Sequence, residues 1–191
     1  MGGPYENFVT PEQTVPSRPL DIPWESCITM GTSFSFRYED DYKPVRQLVH
    51  LLLDIVSKGG NLALNVGPQP DGRLPRGAVA RIKELGGWLR ENGEGVYATR
   101  ICAPYRTGSF AFTRGKDGTV YAFKLYDEGE RIEREVVIPY AGPVERVTLA
   151  GGIGGEEDVQ LEMIPSTGGI ACRLPEYRLE GNPITHLFKL R

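Results

Sequence analysis

Two hydrophobic periods divide the chain. Between residues 42 and 58, Val45, Leu48, Val49, Leu52, Ile55 and Val56 recur at intervals of three and four, which predicts an amphipathic helix. Asp41 is its expected N-cap, and Lys58 complements the dipole at its carboxyl end. Gly59 and Gly60 supply the left-handed conformation that ends a helix. Leu62, Ala63, Leu64 and Val66 follow as a short apolar run, read as a strand over 61–66 covered on both faces. Pro70-Asp71-Gly72 marks a turn, and Pro75 opens a second helix carried by Val79, Ile82, Leu85, Trp88 and Leu89 and ending near Asn92-Gly93. Upstream, aromatic and β-branched residues predict a strand near Ser26–Met30. Prolines 4, 11, 16, 19 and 23 make residues 1–23 read as loop with no element of its own. Helix, strand and helix in this order are a piece of a parallel α/β architecture, whose ligands lie beyond the carboxyl ends of its strands. Asn61 and Asn65 are the first polar groups to consider there.

After Tyr97 the period shortens. Ser109–Thr113, Thr119–Leu125, Glu135–Ile138, Val144–Leu149, Val159–Ile164, Gly169–Leu174 and Thr185–Leu190 alternate apolar and polar residues between Gly, Pro and Asp. Lys116-Asp117-Gly118 is a hairpin signal. Short strands at this spacing predict an antiparallel β-sandwich. The expected organisation is therefore an α/β portion over 1–102 and an all-β domain over 103–191. One helix–strand–helix unit cannot cover its own strand, so the α/β portion is expected to be incomplete, with further structure upstream.

Composition narrows the partners. Of 191 residues, 40% are hydrophobic and 25% charged, enough for packed cores. A net charge of −3 gives no reason to expect nucleic acid or an anionic membrane. Cys27, Cys102 and Cys172 are too scattered for a disulfide framework or a zinc site, and His50 and His186 are the only histidines. Apolar runs such as Leu51-Leu52-Leu53 are far too short to span a bilayer, and the first residues lack the features of a signal peptide. The compartment stays open. The glycines at 59, 60, 67 and 72 match no phosphate-binding loop.

Several stretches together resemble one family. Thr10-Pro11-Glu12-Gln13, Pro23-Trp24-Glu25-Ser26-Cys27-Ile28-Thr29-Met30, Val56 to Asn61, Leu64-Asn65-Val66-Gly67-Pro68, Asp71-Gly72, Trp88-Leu89 and Asn92-Gly93-Glu94 with Val96-Tyr97 look like the α-L-fucosidases of glycoside hydrolase family 29, in family order. The β-rich tail is similar to that family's C-terminal sandwich. The resemblance implies the last strands and helices of a (β/α)8-like barrel followed by the sandwich. It further implies a retaining glycosidase that releases terminal α-L-fucose from glycans, with no metal or cofactor. Retaining glycosidases use two carboxyl groups about 5 Å apart, one as nucleophile and one as general acid/base. The family's nucleophile is an Asp in an Asn-Asp-Arg-Trp-like motif ahead of the Thr-Pro-Glu stretch, and no Asn-Asp-Arg occurs in this chain. The chain is thus expected to be inactive alone and to need an upstream barrel segment or another copy of itself. The family's acid/base follows a Ser-Trp-Gly-Tyr-like stretch, here Ser33-Phe34-Ser35-Phe36, and Glu39 is the first choice among Glu39, Asp40 and Asp41.

Each of these residues also has a plainer reading. Glu39 to Asp41 can be a solvated charge cluster. Glu25, beside Trp24, is an alternative acid or a carboxylate that supports the site. Trp24 and Phe36 are either a wall for the fucose methyl group or core. Asn61 and Asn65 either orient the pocket walls or cap strand ends. Cys27 is by default a buried thiol. A second functional class is a carbohydrate-binding or scaffolding sandwich, with Tyr121, Phe123 and Tyr126 as its aromatic candidates, although Tyr121 and Phe123 alternate with Ala122 and Lys124 as core residues would.

Overall fold

The computed structural model describes residues 7–151 and 157–191. The chain forms two compact units, one running to Arg90 and one from Glu91 to Arg191.

The first unit is built on parallel strands. β1 (Glu25–Thr29) and β2 (Asn61–Asn65) pair in parallel from Glu25↔Asn61 to Thr29↔Asn65. Helix α1 (Val45–Ser57) makes the crossover between them, and α2 (Arg76–Asn92) follows β2. Residues 9–13, expected as loop, run parallel to β1 on its other edge. Cys27 N donates to the Pro11 carbonyl at 2.9 Å, and Gln13 N donates to the Cys27 carbonyl at 2.9 Å. The prolines hid this pairing because proline removes a donor yet keeps its acceptor, which suffices at an edge.

The apolar stripe of α1 forms as read, with Leu48, Val49, Leu52 and Ile55 buried. Its start differs from expectation. Pro44, in extended conformation, is the N-cap with no side-chain hydrogen bond, and Asp41 is exposed. A proline also holds the residue before it out of the helical region, so the helix begins at Val45 rather than at the acidic cluster. At the other end Lys58 N and Gly59 N donate to the carbonyls of Ile55 and Val56, and Gly59 takes a φ of 82°. Met30, Leu48 and Ala78 form the centre of the helix–sheet core, with Tyr42, Leu64 and Val66 against it.

β2 is half-exposed from Leu62 to Asn65 rather than covered on both faces. Alternation along the strand explains this. Leu64 packs toward the helices, whereas on the other face Cys27, Ala63 and Asn65 stay half-exposed beside buried Thr29. Cys27 is accordingly half-exposed, not the buried thiol expected of it. Helix α2 buries only Ala78 and Trp88 of its apolar positions, and Ile82 is exposed.

The second unit opens with a 3-10 turn at Gly93–Gly95, carries another at Glu176–Arg178, and is otherwise built of antiparallel strands. One sheet runs in the order β3 (Arg100–Thr107), β4 (Phe110–Arg114), β5 (Val120–Leu125), β11 (Thr185–Leu190), β7 (Val147–Leu149), β8 (Val159–Gln160). The other places β10 (Ile170–Arg173) between β6 (Glu135–Ile138) and β9 (Glu162–Ile164). Phe112, Ala122, Ile138, Val147, Cys172 and Phe188, all fully buried, form the core. Burial pushes the Cys172 thiol up to about 12, so it packs as an inert apolar group.

Two details escaped the sequence. β3 is interrupted by Pro104 and by Tyr105 at a φ of 47°, and its register shifts between Ile101 and Arg106, so no clean alternation marks it. The stretch 159–164 is one alternating run in sequence but two strands in space. Buried Leu161 lies at the corner where the chain leaves one sheet for the other.

Candidate active site

The carboxyl ends of the parallel strands bring Gln13, Thr29 and Asn65 into one row. Gln13 Nε2 donates to Thr29 Oγ1 at 3.2 Å, and Thr29 N donates to Gln13 Oε1 at 3.3 Å. Thr29 Oγ1 donates onward to the Gly31 carbonyl at 2.9 Å. Lys43 Nζ donates to the Thr29 carbonyl at 2.6 Å, and Met30 N donates to the Asn65 carbonyl at 2.9 Å. Gln13 holds this position at a φ of 54°, a left-handed conformation uncommon for a residue with a side chain. Asn65 completes the row with a buried Oδ1 that has no hydrogen-bond partner, a polar group the fold leaves unsatisfied at this end of the sheet.

Above the row runs the loop from Gly31 to Asp41. Asp40 is its anchor: Oδ1 accepts from Thr32 N at 3.0 Å and from Thr32 Oγ1 at 2.6 Å. Those bonds, the side-chain one foremost, hold its carboxyl below the usual carboxylate range. Arg37 Nη1 donates to Thr32 Oγ1 at 2.9 Å and closes the ring of contacts. Two glycines let the loop lie this close. A Cβ on Gly31 would overlap the Asp40 carboxylate, and one on Gly67 would overlap the backbone of Ser35 and Phe36. The loop is therefore seated on the segment that leaves β2.

Glu39 precedes the anchor at a φ of 56°, exposed, and makes no hydrogen bond among the described residues. A non-glycine residue held in this region is characteristic of positions fixed by their surroundings. Phe36 is half-buried, and its ring meets Tyr38 edge-on at a centroid distance of 4.8 Å.

The residues singled out from sequence thus fall into two groups. Glu39, Phe36 and Asn65 belong to the carboxyl end. Trp24, Glu25 and Asn61 belong to the amino end, because Glu25 and Asn61 open β1 and β2 and are register partners. Four residues of strand separate the groups, a distance of about 13 Å. Trp24 is 1% exposed, and its indole fills the space over Gly60, where a Cβ would overlap the ring. Trp24 is therefore core, and no common wall with Phe36 forms: β1 starts at one and ends well before the other. Glu25 is half-buried, with its backbone N donating to the Val9 carbonyl at 3.0 Å, and Asn61 N donates to the Trp24 carbonyl at 3.0 Å. Their positions support the strand starts rather than the carboxyl-end pocket. Nothing in the sequence singles out Gln13 or Lys43, and Asp40 stands there only as an alternative to Glu39. Gln13 was hidden by the proline-rich stretch, and Asp40 by two acidic neighbours of equal standing in sequence.

In the second unit Tyr121, Phe123 and Tyr126 are all buried, so they present no aromatic face to a sugar. Among the described residues no helix is long and apolar enough to cross a membrane.

The α-L-fucosidase family model matches residues 1–94. An α-L-fucosidase of Dictyostelium discoideum is 33% identical over 180 residues, covering 87% of this chain and 38% of that protein. α-L-fucosidase isoenzyme 1 from Paenibacillus thiaminolyticus superposes with a TM-score of 0.81 at 25% identity, over 96% of this chain and 44% of that one. The Thermotoga maritima α-fucosidase solved in complex with fucose superposes with a TM-score of 0.79 at 29% identity, over 100% of this chain and 43% of that one. The chain spans about two fifths of the length of these relatives, with 38% of the first and 43% of the last. Parallel barrel strands and helices followed by an antiparallel sandwich are the architecture of the C-terminal part of these enzymes. The chain belongs to the α-L-fucosidases of glycoside hydrolase family 29.

Proposed function

We propose that this chain contributes the general acid/base, Glu39, to a retaining α-L-fucosidase whose nucleophile is supplied by barrel structure outside these residues. The observation that carries the reading is the loop Gly31–Asp41. It is fastened to the carboxyl ends of β1 and β2 and commits Asp40 to Thr32, while Glu39 and Asp41 are exposed and only Glu39 stands at a positive φ. In the reaction the partner carboxylate attacks the anomeric carbon of fucose. Glu39 gives its proton to the departing glycosidic oxygen, and the fucosyl–carboxylate ester is then opened by a water from which Glu39 regains a proton. The Gln13–Thr29–Lys43 contacts keep the strand ends in place beneath the loop.

The test is a Glu39→Gln variant in the completed enzyme, assayed on fucosides whose leaving groups differ in basicity. A general acid matters most for a poor leaving group. Hydrolysis of a fucosyl disaccharide should therefore fall by about 100-fold or more, while α-L-fucosyl fluoride, which needs little protonation, should lose less in forming the fucosyl–enzyme. Equal activity of variant and parent on the disaccharide would remove Glu39 from this role.

A further inference from the structure

Tyr38 and Glu39 form the tip of a turn whose corners are Arg37 and Asp40. Both corners are tied to one oxygen. Thr32 Oγ1 donates to Asp40 Oδ1 at 2.6 Å and accepts from Arg37 Nη1 at 2.9 Å. The hydroxyl gives its hydrogen to an anion and a lone pair to a cation, so each bond is strengthened by a charge. Thr32 N adds a second bond to Asp40 Oδ1 at 3.0 Å. Thr32 is itself anchored to the end of β1. The carbonyl of Gly31, the residue before it, accepts from Thr29 Oγ1 at 2.9 Å and from Lys43 Nζ at 3.3 Å. A continuous chain of bonds therefore runs from the strand end through Thr32 to both sides of Glu39.

Glu39 needs such support. It holds the third place of the turn at a φ of 56°, where glycine or asparagine is the usual residue. Drawing Arg37 and Asp40 to one hydroxyl closes the turn and keeps its tip in that conformation. A general acid works only when its carboxyl stands within hydrogen-bond reach of the leaving oxygen. We propose that the Thr32 hydroxyl is a positioning group for the acid/base, acting through Arg37 and Asp40 on the placement of Glu39. This rests on Glu39 as acid/base.

The experiment compares Thr32→Val, Thr32→Ser, Glu39→Gln and the double variant Thr32→Val/Glu39→Gln with the parent in the completed enzyme. The substrates are a fucosyl disaccharide, whose leaving group needs protonation, and α-L-fucosyl fluoride, whose leaving group needs little. Thr32 is exposed, and valine keeps its shape while removing the hydroxyl. Thr32→Val should lower kcat/KM for the disaccharide by about tenfold, through kcat rather than KM, and leave kcat/KM for the fluoride within about twofold. Thr32→Ser, which keeps the hydroxyl, should retain the disaccharide activity. The double variant should be no slower on the disaccharide than Glu39→Gln alone, because groups that act as a unit are not additive. An unchanged Thr32→Val, an equal loss on both substrates, a Thr32→Ser as impaired as Thr32→Val, or a double variant slowed by the product of the two single losses would overturn the positioning role and leave the acid/base standing. If Glu39→Gln leaves the disaccharide reaction intact, the acid/base reading falls and the positioning role with it.

Discussion

At the scale of single residues, burial decides which polar groups are available for chemistry. His186 on β11 shows the opposite case to Glu39. It is buried, with Nδ1 3.0 Å from the Tyr126 hydroxyl. Burial, with the Arg178 charge second, pushes its pKa down to about 4, against 6.5 when unfolded. The sign follows from which state holds the proton. Between pH 6.5 and about 4 the unfolded chain binds a proton that the folded chain refuses, so stability falls as pH falls through that window. The slope from this group approaches about 1.4 kcal/mol per pH unit at its steepest. Thermal melts between pH 7 and 4 should show a decline in midpoint that is shallower in a His186→Gln variant. An identical decline in both would show that His186 is not the titrating group. No pattern in the sequence marks His186 as buried and neutral, because β11 alternates weakly and five of its six residues are buried. Asp40 was equally hidden: its carboxylate reaches Thr32 only because Gly31 carries no Cβ, which a row of three acids does not reveal.

At the scale of elements, periodicity gave α1, β2, α2 and most of the sandwich strands, because burial on one face repeats with the geometry of the backbone. It failed where pairing is carried by groups that side-chain patterns ignore. Residues 9–13 pair through carbonyls beside prolines, β3 is bent by a register shift, and 159–164 divides between two sheets. The turn between α1 and β2 shows what glycine supplies beyond flexibility. Gly60 lies under the Trp24 indole, so Gly60→Ala should cost about 1–3 kcal/mol through overpacking. Gly86, within α2, has nothing within 4 Å of where a Cβ would stand, so Gly86→Ala should stabilise by about 0.5–1 kcal/mol through helix propensity. Urea denaturation of the two variants should therefore move in opposite directions. A neutral Gly60→Ala would mean that Trp24 can move aside and is less tightly held than its burial indicates.

At the scale of the whole molecule, the α/β unit is legible as unfinished. Among the described residues its sheet has two strands and an edge segment, and β2 is half-exposed from Leu62 to Asn65. The sandwich, by contrast, closes its own core. The sequence showed this imbalance as one helix–strand–helix unit followed by a full set of β strands, and the resemblance to fucosidases supplied its meaning. It did not show which end of the strands each polar residue would occupy. Trp24, Glu25 and Asn61 are adjacent to the site motifs in sequence but lie at the opposite end of the sheet, since a five-residue strand carries its two ends far apart. The most direct test is the hydrolysis of an aryl α-L-fucoside by the purified 191-residue chain, alone and after adding the upstream barrel segment of a fucosidase. The expected result is no turnover alone and turnover that appears on completion and depends on Glu39. Turnover by the chain alone, free of contaminating fucosidase, would contradict the placement of the nucleophile outside it.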